Sequence, residues 1–179
     1  MTLPRNEEYE ALKAGFNIVL LGPGDDDRAV RDKRRDIRDE LVALGFQSAR
    51  LGEDVIGEDS PFPLHLALLP VIDSIDLILV LDAGPSPLAE LSGLSTNDRA
   101  KQITQVWCEA QFMERRTAPS DVVRMFSYHI YDPREIVTCT LKEAMVHQTN
   151  LIIWSRADSQ GLLPRLELPR RGSDSDDIA

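Results

Sequence analysis

The chain has 179 residues, 42% hydrophobic and 28% charged, which suits one domain with a full hydrophobic core and leaves room for only a very small second one. Its 30 acidic against 20 basic residues give a formal net charge of -10, a field that attracts neither a nucleic-acid backbone nor an anionic membrane surface, so small molecules and proteins are the expected partners. No apolar run nears the roughly 20 residues needed to span a bilayer, and Met1 to Glu8 lacks the basic-then-apolar layout of a signal peptide, so a cytoplasmic setting is expected.

Phe16-Asn17-Ile18-Val19-Leu20-Leu21 is a continuous apolar run closed by Gly22-Pro23-Gly24, the pattern of a strand buried on both faces and therefore central. After Asp25-Asp26-Asp27 the period becomes helical, with Val30, Ile37, Leu41 and Leu44 on one stripe and Gly45 ending the helix. Gln47 to Leu51 suits a short strand nearer the sheet edge, followed by an acidic loop from Gly52 to Asp59. Pro63 to about Ser74 reads as a helix that Pro70 kinks or divides. Leu77-Ile78-Leu79-Val80-Leu81 is the next buried strand, ended by Asp82-Ala83-Gly84-Pro85. Beyond it the spacing predicts a helix from Asp98 to about Arg116, a strand over Val122 to Ile130, a helix over Glu135 to Gln148 and a last strand over Leu151 to Trp154.

This alternation implies right-handed crossovers and an α/β three-layer sandwich around a central, mostly parallel sheet of about five strands, in a flavodoxin-like or Rossmann-like order. Residues 1–155 are expected to form the domain. Residues 156–179, with Pro164, Pro169, Arg170-Arg171-Gly172 and a run of Ser and Asp, are expected to form a flexible tail.

In such sheets ligands sit beyond the carboxyl ends of the strands, where the strand order reverses. The two best strands end in the two most unusual loops, and a pocket is expected there from Gly22, Pro23, Gly24 and Asp25 on one side and Asp82, Gly84 and Ser86 on the other. The first loop has neither a GxGxxG nor a lysine-bearing phosphate loop, and its three aspartates oppose a pyrophosphate. Those aspartates either cap the next helix, worth about 0.5–2 kcal/mol for a good cap, or meet a ribose or a metal. His65, His129 and His147 lack metal-ligand spacing, Cys108 and Cys139 read as buried reduced thiols, and no Gly-x-Ser-x-Gly elbow is present. Neither a metal nor a cofactor is expected. Tyr128-His129-Ile130-Tyr131-Asp132-Pro133 reads either as a polar ring near the fourth strand's end or as an ordinary amphipathic strand.

In the second loop Glu90 is expected in the first turn of the following helix, its carboxylate directed back over the strand ends. The plainer alternative is a carboxylate facing solvent or the helix dipole. The strand Asp76 to Leu81, followed by Gly84-Pro85-Ser86-Pro87-Leu88-Ala89-Glu90-Leu91, resembles the signature of nucleoside 2-deoxyribosyltransferase-like and Toll/interleukin-receptor-like (TIR-like) domains, a small residue, three further positions and a glutamate. Phe16 to Gly24 is compatible with the same group, and the resemblance spans roughly residues 14 to 95.

The resemblance implies that Glu90 acts on the N-glycosidic bond of a nucleoside or of NAD, as nucleophile or by holding the ribose as an oxocarbenium-like centre develops. By analogy it also implies nucleotide depletion in antiphage defence. Leu68 stands where the deoxyribosyltransferases place a further aspartate, so hydrolysis or simple binding is favoured over transfer. Trp107-Cys108 matches the TIR pair by chance, because Gln111 occupies the glutamate position, and Trp107 reads as a core residue. The expected activity is thus an N-glycoside hydrolase. The alternative is a non-catalytic nucleotide-binding sensor or a protein-interaction module, with a homo-oligomer or a protein partner left open.

Overall fold

The computed structural model describes residues 4–23, 28–56, 63–82, 85–114, 117–136 and 138–163. In chain order it runs α1 (Pro4–Ala14), β1 (Ile18–Leu21), α2 (Arg28–Ala43), β2 (Ala49–Leu51), α3 (Gly52–Ile56) and α4 (Leu64–Leu68), which continues as a 3₁₀ turn over Leu69–Ser74. Then come β3 (Leu77–Leu81), α5 (Pro85–Leu94), α6 (Asp98–Ile103), β4 (Thr104–Glu109), α7 (Ala110–Glu114), α8 (Ala118–Val123), β5 (Ser127–Tyr131), a 3₁₀ turn over Pro133–Ile136, and α9 (Thr140–Ser159).

Among the described residues five strands form one sheet in the order β2-β1-β3-β4-β5, every neighbouring pair parallel. Of the two expected orders this is the flavodoxin-like one. Because successive strand side chains alternate, Ile18, Leu20, Leu77, Leu79, Leu81 and Trp107 pack with Ile37, Leu41, Met145 and Ile153 of α2 and α9 on one face. On the other face Val19, Ile78, Val80, Val106 and Cys108 meet Leu68, Ile72, Leu91, Leu94, Ile103 and Val123. The molecule is therefore a three-layer α/β sandwich with a core on each side of its sheet.

Local signals placed several boundaries. Gly45 adopts φ +100, and the Gly45 N–H to Val42 O and Phe46 N–H to Leu41 O bonds close α2 as a Schellman motif. Pro70 divides its helix where expected, because it lacks the N–H that would continue the α ladder, and the chain tightens into the 3₁₀ turn. β2 is an edge strand, and β1 and β3 are interior.

Elsewhere the structure corrects the sequence reading. Asp98 to Arg116 is not one helix, because β4 occupies Thr104–Glu109 between β3 and β5. Ile103, Val106, Trp107 and Ala110 happen to satisfy helical spacing, but Val106 and Trp107 point to opposite faces of the sheet. Residues 118–123 are helical, so the strand expected from Val122 starts only at Ser127. The expected last strand, Leu151 to Trp154, lies inside α9, which buries Ile153 and leaves Leu151 and Trp154 exposed. The same helix carries Arg156, where the tail was expected to begin; residues 164–179 lie outside the described residues. Leu44 is exposed rather than on the buried stripe, residues 52–56 are helical rather than loop, and α1 was not foreseen.

Candidate functional site

The chain leaves β1 toward β2 on one side and leaves β3 toward β4 on the other, so the switch point lies at the carboxyl ends of β1 and β3. Gly22 and Pro23 follow β1, and Asp82 follows β3. The two ends approach closely: a Cβ on Gly22 would lie 2.9 Å from the Leu81 carbonyl oxygen and 3.2 Å from Arg34 Cδ. Asp82 takes the left-handed conformation at φ 65, which Asp tolerates better than most residues, and its N–H donates to the Trp107 carbonyl at 2.8 Å. Gly24, Asp25 and Gly84 lie outside the described residues. Ser86 sits in the first turn of α5.

Beneath Gly22 is a residue the sequence reading missed. Arg34 of α2 is buried, donates from Nη2 to Glu53 Oε1 at 2.8 Å, and has no hydrogen-bond partner for Nε among the described residues. Burial pushes the guanidinium below its ordinary value, and the charge of Glu53 opposes that shift. The signal was present in the sequence: positions 30, 34, 37 and 41 form one helical stripe, and the arginine interrupts its aliphatic residues.

Glu90 lies in the second turn of α5 rather than the first. Its side chain crosses to the start of α4, where Oε1 accepts the Leu64 N–H at 3.2 Å and Oε2 accepts the His65 N–H at 2.6 Å. The His65 ring closes the contact with Nδ1 2.8 Å from Oε2. With an ionised carboxylate, Nδ1 is the donor on this edge. Gly93, one turn along α5, makes room for that ring: a Cβ there would fall 2.3 Å from His65 Cδ2. Both side chains are mostly buried, His65 19% and Glu90 16% exposed.

The carboxylate is thus held by two backbone N–H groups and the His65 imidazole. A carboxylate so placed can stabilise positive charge that develops beside it. A free nucleophile would have to surrender those bonds first.

Trp107 and Cys108 lie on β4 and His129 on β5. His129 stacks on Trp107 at 4.3 Å with 18° between the rings, and its Nε2 is 2.8 Å from Gln105 Oε1. Trp107 is a core residue, as read from the sequence. Cys108 is buried, its thiol pushed up to about 11 by burial and then by the Asp82 charge. Cys139 is exposed, contrary to expectation, because it precedes the first turn of α9 at the surface. Among the described residues no three His, Cys, Asp or Glu side chains are grouped to hold a metal ion, and no helix is long and apolar enough to cross a membrane. No protein-family model matches the chain, and no curated protein is similar enough in sequence to count as a relative.

Proposed function

We propose that this domain hydrolyses the N-glycosidic bond of a nucleoside or of a nucleotide such as NAD, in a cytoplasmic setting, with Glu90 as its central group. One observation carries the reading: a mostly buried carboxylate, held in place by three contacts at the start of α4, on the helix that follows the central strand of a flavodoxin-like sheet. In the reaction the C1′–N bond breaks with its electron pair going to the base, water oxygen bonds C1′, and the proton lost from water balances the one gained by the base. Positive charge builds on the ribose in the transition state, so a fixed anion lowers the barrier more than it tightens ground-state binding. Gly22, Pro23 and Asp82 would flank the sugar, joined by Gly24, Asp25, Gly84 and Ser86.

The engagement of both Glu90 oxygens with α4 favours a second reading, in which the same pocket binds a nucleotide as a signal without cleaving it. Incubating the purified chain with NAD and with purine and pyrimidine nucleosides, then separating released base by chromatography, decides between them. Release is expected, falling by about 100-fold or more in Glu90→Gln, with circular dichroism unchanged. Glu90→Asp, which keeps the charge but withdraws it by one methylene, covers the case in which Gln unfolds α4, and is expected to lose at least about tenfold. Release of no base from any of these compounds overturns the hydrolase. Thermal stabilisation, roughly 2.7 kcal/mol at 100 times the dissociation constant, with the ligand recovered intact, then supports the sensor.

A further inference from the structure

The two edges of the sheet are built differently. β2, at one edge, is three residues long, carries the exposed Arg50 in its middle and runs straight into α3. A short strand and a charged side chain are common means of keeping an edge unpaired. β5, at the other edge, has five residues, Ser127-Tyr128-His129-Ile130-Tyr131, with no Asp, Glu, Lys, Arg, Pro or Gly among them. No strand lies beyond it among the described residues, and every second N–H and C=O of its backbone points away from β4. Tyr128 and Ile130 share the face on which their register partners Val106 and Cys108 are buried, yet they are 42% and 54% exposed. That face is covered over β4 and open over β5.

We propose that β5 pairs antiparallel with β5 of a second copy of this chain, about a two-fold axis through His129, joining two sheets into one. This stands apart from the reading of Glu90. Lying end for end against itself, the strand sets Tyr128 of each copy directly opposite Ile130 of the other, an aromatic and β-branched pair formed twice. At a net charge of -10 two copies repel on the whole, so an uncharged strip is where they can approach. The charged groups flanking the strip are paired within each copy, Arg124 with Asp121 at 3.2 Å before it and Arg134 with Asp132 at 3.6 Å after it, and Glu135 accepts the Asp132 N–H. The two-fold brings the first ion pair of one copy to the second ion pair of the other, so each end offers both signs to its counterpart. Both open edges are used up and the blunted β2 edges stay outside, so assembly closes at two.

Sedimentation velocity of the full chain over a range of concentrations tests the pairing, with Tyr128→Glu and Ile130→Lys beside wild type. Wild type is expected to pass from the mass of one chain to that of two. Each variant should dimerise about tenfold or more weakly, because it sets an unpaired charge in the strip. An equimolar mixture of the two variants should regain dimer, since the introduced carboxylate then lies opposite the introduced ammonium. Hydrogen exchange on wild type needs no substitution: amides within 127–131 should slow as concentration rises. A wild type that stays at the mass of one chain overturns the proposal and leaves the edge to a strand of another protein. Masses that grow beyond two chains, variants that dimerise as wild type does, a mixture that stays monomeric, or exchange in β5 that ignores concentration each overturn it as well.

Discussion

Arg34 and Gly22 show how closely the switch point is built. The arginine takes a place on the buried stripe of α2 that Val30, Ile37 and Leu41 otherwise fill, and its guanidinium is compensated by Glu53. Such a pair is costly to break, because removing one partner strands a buried charge. Gly22 is required there by proximity rather than by backbone conformation, since any Cβ meets the Leu81 carbonyl at 2.9 Å. Gly22→Ala is therefore expected to cost roughly 1–3 kcal/mol, read as a lowered urea midpoint at unchanged slope; an unchanged midpoint counts against the close approach. At this scale Glu90 and Gly22 were legible as candidates from their loops. His65 was not, because nothing in a 25-residue separation reveals that α4 and α5 pack side by side. Nor did local sequence show that the Glu90 carboxylate accepts the Leu64 and His65 N–H groups at the start of α4.

Elements differed in legibility for a physical reason. Strands buried on both faces, such as β1 and β3, are continuous apolar runs bounded by turn residues, and both were found. Glycine at the end of α2 and proline within the helix before β3 act through their own backbones, so their effects were read locally. β4 and the second half of α9 were misread because short apolar stretches satisfy more than one period.

The pairing of β4 with β5 also sets a pH response through His129, stacked on Trp107. Burial holds this imidazole below the ordinary value of 6.5. The unfolded chain therefore binds the proton first as pH falls, and this contribution to stability is full above 6.5 and lost as pH drops toward the folded value. Urea midpoints across that range should decline less in His129→Gln than in wild type. Parallel declines would remove His129 as the source.

For the whole molecule, two cores on opposite faces of one sheet make Cys108 a reporter of global opening. Its thiol lies within the second core and is held up to about 11, so it is protonated near neutral pH and shielded from reagents. Cys139 is exposed. With an aromatic disulfide reagent, one thiol is expected to react at once and the second at a rate that rises with urea as global unfolding does. Two equal fast phases would show that the core around Cys108 opens locally.

The amino ends of the strands are tied across distant segments in a similar way. Asp76 accepts the Asn17 N–H at 2.9 Å and pairs with Arg156 of α9, whose guanidinium also lies 5.5 Å from the Phe16 ring centre. This clamp holds the end of α9 in place at the point where a tail had been expected.

By itself the sequence determined the α/β class, the central position of β1 and β3, the edge position of β2 and the two loops at the switch point. Each of these follows from hydrophobic period and from turn residues acting over a few positions. The tertiary structure alone decided that Thr104–Glu109 is a strand, that α9 runs unbroken to Ser159, and that Glu90 meets His65. Those outcomes depend on which neighbour a segment lies against, a β3–β5 gap to be filled, a sheet face to be covered, a helix start to be capped. Partners of that kind are set by the assembled fold, not by the local run of residues.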